Sequence, residues 1–226
     1  MTDYIIIILG DDMVKKKLIL TINREYGSGG KQIGQKLSEI LDIPYYDDDI
    51  IKISSEHAAV AEECFRVNDE RPGNHILHRI VGGLRDAMDR PSLGDKLTSP
   101  DNLFRFQSEV IRELAKEQSC IFIGRCSDFV LESSGFSDFI RLYVYADLPT
   151  KVQNVCAVDG VDTREALMRV QRINKKRSDF YRYYTGEAWN DLTRYDLPVN
   201  TTDLTFDQAV ELILKYLSLR GYNKEN

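Results

Sequence analysis

The stretch TINREYGSGGKQIG, Thr21–Gly34, decides how the rest of the chain is read. It sets Gly27, Ser28, Gly29 and Gly30 directly before Lys31. Ahead of it, KLILTI (Lys17–Ile22) is a short apolar run of the kind found in buried parallel strands. Behind it, Ile33, Leu37, Ile40 and Leu41 recur at helical spacing. Strand, glycine loop and helix in that order are the setting of a phosphate-binding P-loop. Glycines let several backbone N–H groups converge on an anion without side-chain clashes. The helix start adds partial positive charge, and Lys31 adds a full one.

Two positions depart from the consensus G-x-x-x-x-G-K-[ST]. Glu25 stands where the first glycine belongs, and Gln32 stands where a hydroxyl would hold Mg²⁺. A glycine turn that merely packs a helix against a strand has the same short pattern. The loop by itself leaves both readings open.

The chain of 226 residues is long enough to bury a full core without disulfides. A net charge of -6 argues against a general nucleic-acid binder while leaving room for a local basic site. Cys64, Cys120, Cys126 and Cys156 form no C-x-x-C pair, so reduced thiols and a cytoplasmic location are expected. No apolar run approaches the ~20 residues of a membrane span. The opening MTDYIIIILG reads either as an extra strand at a sheet edge or as a leader before a start at Met13.

Further along, LFRFQSEVIRELAKEQS is an amphipathic helix, CIFIGRCSDFVL begins with a buried strand, and FIRLYVYA is a third strand. A charged helix covers Asp162–Tyr184, YDLPVNTT is a last short strand, and TFDQAVELILKYLSLR closes the chain with Thr205 as N-cap. Alternating strands and helices predict a three-layer α/β architecture with a mostly parallel sheet. One domain spans 1–226, with a helical insertion at 56–104 where Gly82, Gly83, Pro91, Gly94 and Pro100 interrupt the pattern.

Three stretches, taken together, resemble the cytidylate kinase-like family, P-loop proteins related to nucleoside monophosphate kinases. They are LTINREYGSGGKQIGQKLSEILDIPYYDDDII, CIFIGRCSDFVL and RINKKRSDFYRYYTGEAWNDLTRYDLPVNTTDL. The resemblance runs from about Lys17 to Tyr222 and implies a P-loop kinase fold with an acceptor-binding insertion and a lid at 165–195. It implies transfer of the ATP γ-phosphoryl group to a nucleoside monophosphate, CMP to CDP first of all. Mg²⁺ would arrive with ATP, held by phosphates and water rather than by protein ligands.

Carried over by position, Gly27, Ser28, Gly29, Gly30, Lys31 and Gln32 would wrap the donor phosphates. Asp47 and Asp48 match the acceptor-site stretch, and Arg105 falls near the place of an acceptor-phosphate arginine. Arg125 matches the Gly-Arg of the Gly-Arg-Asp element of cytidylate kinases proper. There Cys126 replaces the aspartate, with Asp128 two residues on as its substitute. In the lid, Arg172 is expected on the donor and Arg177 on the migrating group, while Lys31 and Arg125 complete the catalytic set. The changes at Gln32 and Cys126 keep two rivals in view: a nucleotide-binding regulatory module without turnover, and a kinase of another small acceptor.

The charges agree with this reading. Arg169, Arg172, Lys175, Lys176 and Arg177 form a basic cluster in an acidic protein, and 169, 172 and 176 share one helical face. A solvated charged face is the plain alternative. His75 and His78 stand at i, i+3, but no carboxylate or Cys pattern completes a metal site. His57 is isolated, and no histidine lies near Cys126 to make it a reactive thiol. The aromatics of Asp179–Trp189 invite RNA stacking, which the acidic total opposes. Tyr183, Tyr184 and Trp189 are read as anchors of the lid or as stacking partners of a base.

Overall fold

The computed structural model describes residues 17–47, 76, 77, 79–81, 83, 84 and 100–222. Among the described residues there are five strands: β1 (Ile19–Arg24), β2 (Tyr45–Tyr46), β3 (Cys120–Ile123), β4 (Ile140–Tyr145) and β5 (Leu197–Asn200). Among the same residues, helices with defined bounds are α1 (Gly30–Leu41), α2 (Pro100–Glu117), α3 (Ser127–Ser133), α4 (Leu148–Asp159), α5 (Thr163–Thr185) and α6 (Phe206–Leu219). The strands run parallel in the order β2-β3-β1-β4-β5. This is the three-layer α/β architecture that the alternating pattern predicts.

All six residues of β1 are buried, because helices cover both faces of the sheet. On one face, Ile33 and Leu37 of α1 and Val210, Ile213 and Leu217 of α6 pack against Leu20, Ile22 and Leu142. On the other, Val110, Ile111 and Leu114 of α2 and Val130 of α3 cover Ile19 and Phe122. The register sets Ile22 beside Ile123, the last residue of β3, and Arg24 beside Val144, so β1 and β4 run on past the end of β3. Pro198 lies in β5, an edge strand, where a missing N–H is tolerated.

The helix ends follow local rules. Thr205 and Gln208 form a reciprocal capping box at α6. Asp147 and Asp162 accept from the backbone N–H groups of Thr150 and Glu165 at the starts of α4 and α5. Val152 and Val155 of α4 pack on Ala166 and Val170 of α5. The second half of α5 reaches the core through Tyr181, whose hydroxyl donates to Asp128 at 2.8 Å.

Asp48, His57, His75, His78, Cys64 and residues 1–12 lie outside the described residues. Of the segment 56–104, the described residues 76, 77, 79–81, 83 and 84 are helical, and 100–104 belong to α2. Among the described residues no helix is long and apolar enough to cross a membrane.

Candidate functional site

The glycine loop turns at the C-terminal end of β1. Gly27 and Gly29 sit at φ +84° and +83°, in the left-handed region that side chains disfavour. Space forbids a side chain too: a Cβ on Gly27 would lie 2.5 Å from the Lys151 carbonyl oxygen. Glu25, at the first-glycine position, lines the same cavity as the loop glycines. Its carboxylate meets Lys151 Nζ at 2.6 Å, tying the loop to α4. Asn154 Nδ2 donates to the Gly27 carbonyl at 2.8 Å, and the Tyr26 backbone N–H donates to Asn174 Oδ1 at 2.7 Å. The loop is thus held from both α4 and α5.

Above it lies a cavity of about 190 Å³ whose lining includes Gly27, Gly29, Gly30, Lys31, Gln32 and Arg177. A phosphate chain suits this lining. The start of α1 opens into it, Lys31 borders it, and its two acidic residues are already neutralised. Glu25 is paired with Lys151. Asp159 lies 2.9 Å from Arg169 and accepts the Tyr26 hydroxyl at 2.6 Å. These contacts hold the Asp159 carboxyl below its ordinary range, with the Tyr26 bond the larger cause. Ser28 is fully buried and its hydroxyl donates to the Glu25 carbonyl at 2.8 Å, so it does not face the cavity as a metal ligand. For Mg²⁺, which prefers oxygen ligands, a lining residue that could supply an amide oxygen is Gln32, in the first turn of α1. Lys31 Nζ rests 2.9 Å from the buried Asp47 carboxylate at the end of β2.

The second turn follows β3. Gly124, Arg125 and Cys126 have φ of 75°, 58° and 54°, three left-handed residues in succession. The Ser127 N–H donates to the Gly124 carbonyl at 3.1 Å, closing the turn before α3. Arg125 sits over the Phe180 ring at 5.6 Å from its centroid.

This turn borders a larger cavity of about 580 Å³. From α2 it receives Pro100, Leu103, Phe104 and Gln107, spaced i, i+3, i+4, i+7. From α5 it receives Ile173, Lys176, Arg177, Phe180, Tyr181 and Tyr184, again one helical stripe. Phe104 and Tyr184 stack at 3.8 Å and 15°, joining the helices at the rim. Burial and Asp101 push the Tyr184 hydroxyl up to about 12. Arg24, Arg125, Lys176 and Arg177 border the cavity, and no carboxylate is among its described lining. An anion with a flat or apolar part fits these walls. Arg24 and Arg177 border both cavities, and Arg177 Nη1 donates to the Arg24 carbonyl at 2.9 Å.

Asp128 lies behind the wall of the larger cavity, not in it. Its Oδ2 accepts from Asn23 Nδ2 at 3.0 Å and from the Tyr181 hydroxyl at 2.8 Å. Burial raises its pKa above the ordinary carboxylate value against these bonds.

The structure brings Gly27, Gly29, Gly30, Lys31, Gln32, Arg125 and Arg177 to the two cavities, with Ser28 beneath the loop and Asp47 against Lys31. Arg105 and Arg172 are exposed and border neither, because their helices turn Phe104 and Ile173 inward. Arg169 is held by Asp159 and Glu165. Cys126 is buried at 1% exposure on the cavity wall. Sequence reasoning missed Arg24, Asn23, Gln107 and the aromatic pair Phe104 and Phe180. A polar pair closing an otherwise apolar strand was the available signal for Asn23 and Arg24. Among the described residues no group of three His, Cys, Asp or Glu side chains gathers as for a metal ion.

Comparison with known proteins adds a family. The model described as the cytidylate kinase-like family matches residues 19–203. A protein named cytidylate kinase from Methanopyrus kandleri is 27% identical over 110 residues, 45% of this chain and 56% of that one. Another of that name from Pyrobaculum aerophilum is 22% identical over 204 residues, 88% of this chain and 92% of its own. The chain spans about half the length of the first curated relatives it matches. A solved structure of an uncharacterized protein from Eubacterium ventriosum has a TM-score of 0.65 at 23% identity, covering 89% of this chain and 99% of that one.

Proposed function

The chain belongs to the cytidylate kinase-like family, and from that premise we propose that it transfers the γ-phosphoryl group of ATP to a nucleoside monophosphate, CMP giving CDP, in the cytoplasm. The observation that carries this is the meeting of two cavities, one walled by the glycine loop and one by cations and aromatic rings, at Arg177. A donor polyphosphate occupies the first and an acceptor phosphate with its base the second.

In the reaction an oxygen of the acceptor phosphate bonds to the γ-phosphorus while the β,γ-bridging P–O bond breaks. The electron pair leaves on ADP, and no proton moves when the acceptor is a dianion. Such chemistry needs alignment and cations more than covalent help. Lys31 turns from Asp47 to the donor phosphates, Arg125 holds the acceptor phosphate, and Arg177 spans the space between. Mg²⁺, bound with ATP, supplies further neutralisation of phosphate charge. Segment 165–195 acts as a lid that keeps water from the donor. Asp47 is then left facing the acceptor side, and Asp128 serves by holding Asn23 and Tyr181.

A second reading has its own support. Lys31 paired with a buried carboxylate, together with Gln32 in the hydroxyl position, suits a module that binds nucleotide without turnover. The deciding experiment is ADP formation from Mg-ATP against CMP, dCMP, UMP, AMP and GMP, with Lys31→Ala as control. Turnover with CMP, abolished by Lys31→Ala, is expected. ATP binding without turnover on any acceptor would transfer the case to the module.

A further inference from the structure

We propose that Arg24 is a catalytic residue of this phosphoryl transfer, the fixed half of a guanidinium clamp whose other half is Arg177. The inference rests on the transferase reading but not on CMP as acceptor. Among the described lining residues, Arg24 and Arg177 are the two shared by both cavities. A group passing in line from one cavity to the other crosses the boundary they form.

The two arginines arrive by different routes. Arg177 comes from α5, a helix with only Ala166, Val170 and Tyr181 buried along its 23 residues. Arg24 ends β1, the central strand, and is 7% exposed. Its Cβ stands 2.4 Å from where a Cβ on Gly30 would be, so the glycine at the start of α1 makes room for the arginine stem. The Arg24 carbonyl accepts from Arg177 Nη1 at 2.9 Å, which places the second guanidinium beside the first residue's backbone. One cation is therefore preset by the sheet, and the other is delivered by the helix.

Chemistry favours arginine at this place. A guanidinium stays charged when buried and presents a planar fork that matches two phosphate oxygens at once. Cations fixed in advance around the equatorial oxygens stabilise the charge that spreads there as the bond to ADP breaks. Neither arginine takes or gives a proton. The clamp also suits a loop whose hydroxyl position is Gln32, since charge neutralisation is then shared by side chains from outside the P-loop motif.

The test uses the whole chain and a mimic of the planar migrating group. Affinity for Mg-ADP is measured by calorimetry with and without fluoroaluminate, for the native protein, Arg24→Gln, Arg24→Lys and Arg177→Gln. Native protein is expected to bind Mg-ADP with fluoroaluminate far more tightly than Mg-ADP alone. Arg24→Gln should keep Mg-ADP affinity within about threefold yet lose on the order of 100-fold for the mimic, the scale of one preorganised donor. Arg24→Lys should recover only part, and the Arg24→Gln and Arg177→Gln losses should not add. If Arg24→Gln fails to fold, the Lys variant decides through the same ratio.

Equal losses for ADP and for the mimic, or no loss for either, would overturn the clamp. So would a native protein that does not tighten around the mimic. No acceptor enters this measurement. A protein that binds the mimic through Arg24 yet phosphorylates no nucleotide would therefore sink the CMP reading alone.

Discussion

The molecule has two turns of the same plan that solve the same backbone problem differently. Each follows an interior strand of the sheet, each passes through left-handed residues, and each opens a helix over a cavity. After β1 the left-handed positions are Gly27 and Gly29. After β3 they are Gly124, Arg125 and Cys126, two of them with side chains. The first turn brings its backbone close to its neighbours, and under the proposed function to an anion as well, so side chains are excluded. The second must deliver a cation to the cavity, so it holds side chains in a conformation that glycine would take more cheaply. Under the proposed function one turn would recognise with its backbone, the other with its side chains.

Substitution at Gly27 is the strongest way to break this contrast. Gly27→Ala sets a Cβ 2.5 Å from a backbone oxygen at φ +84°, and about 3 kcal/mol of stability should be lost along with nucleotide binding. Urea unfolding and titration with a fluorescent ATP analogue check both. A variant as stable as the native protein would show that the turn does not need its glycine.

Next in size is the tether that replaces the first consensus glycine. Glu25→Gln leaves Lys151, 8% exposed, without its carboxylate, and about 2 kcal/mol should be lost. Glu25→Gln with Lys151→Met should regain most of it, as replacing a buried pair by apolar groups is often neutral. If the double variant is no better than the single, the pair is not what holds α4 to the loop.

Arg125→Gly tests the second turn from the other side. Glycine relieves the left-handed residue, so stability should stay within about 1 kcal/mol of native. The acceptor KM should rise roughly 10-fold with the loss of its phosphate cation. Equal loss of stability and unchanged KM would mean that Arg125 serves the fold.

The smallest effect concerns pH. Burial raises the Asp128 pKa, so the native state holds a proton that the unfolded state has released in the window above the ordinary carboxylate value. Stability from this group is fully present below the unfolded pKa and fades as pH rises through the folded one. Asp128→Asn should flatten that part of the profile, read as unfolding midpoint against pH. An unchanged slope would assign it to another group.

How far the sequence foretold these features depends on how local their causes are. Strand, glycine loop and α1 form a contiguous pattern, and the Thr205 cap at α6 is set within four residues, so both were legible. Helix α4 was not singled out, although Asp147 and Pro149 mark its start. Tyr45–Tyr46 is a two-residue edge strand that exists only through pairing with Ile121 and Phe122. In the site, charge spacing on α5 suggested the face of 169, 172 and 176. The face turned to the cavity is 173, 176, 177, 180, 181 and 184, chosen by Tyr181 bonding to Asp128 and Tyr184 stacking on Phe104. Which side of a charged helix faces inward is set by distant partners. Arg24 escaped notice because its meaning comes from two cavities that no single stretch of sequence describes.

The most direct test of the whole account is the affinity of a bisubstrate analogue, adenosine and cytidine joined through five phosphates, measured against ATP and CMP alone. Two cavities meeting at a transfer point predict that the linked molecule binds at least about 100-fold tighter than ATP. They also predict that Lys31→Ala and Arg125→Ala each remove most of that gain. An analogue that binds no better than ATP, or whose gain survives both substitutions, would contradict the assignment of the two cavities as donor and acceptor sites.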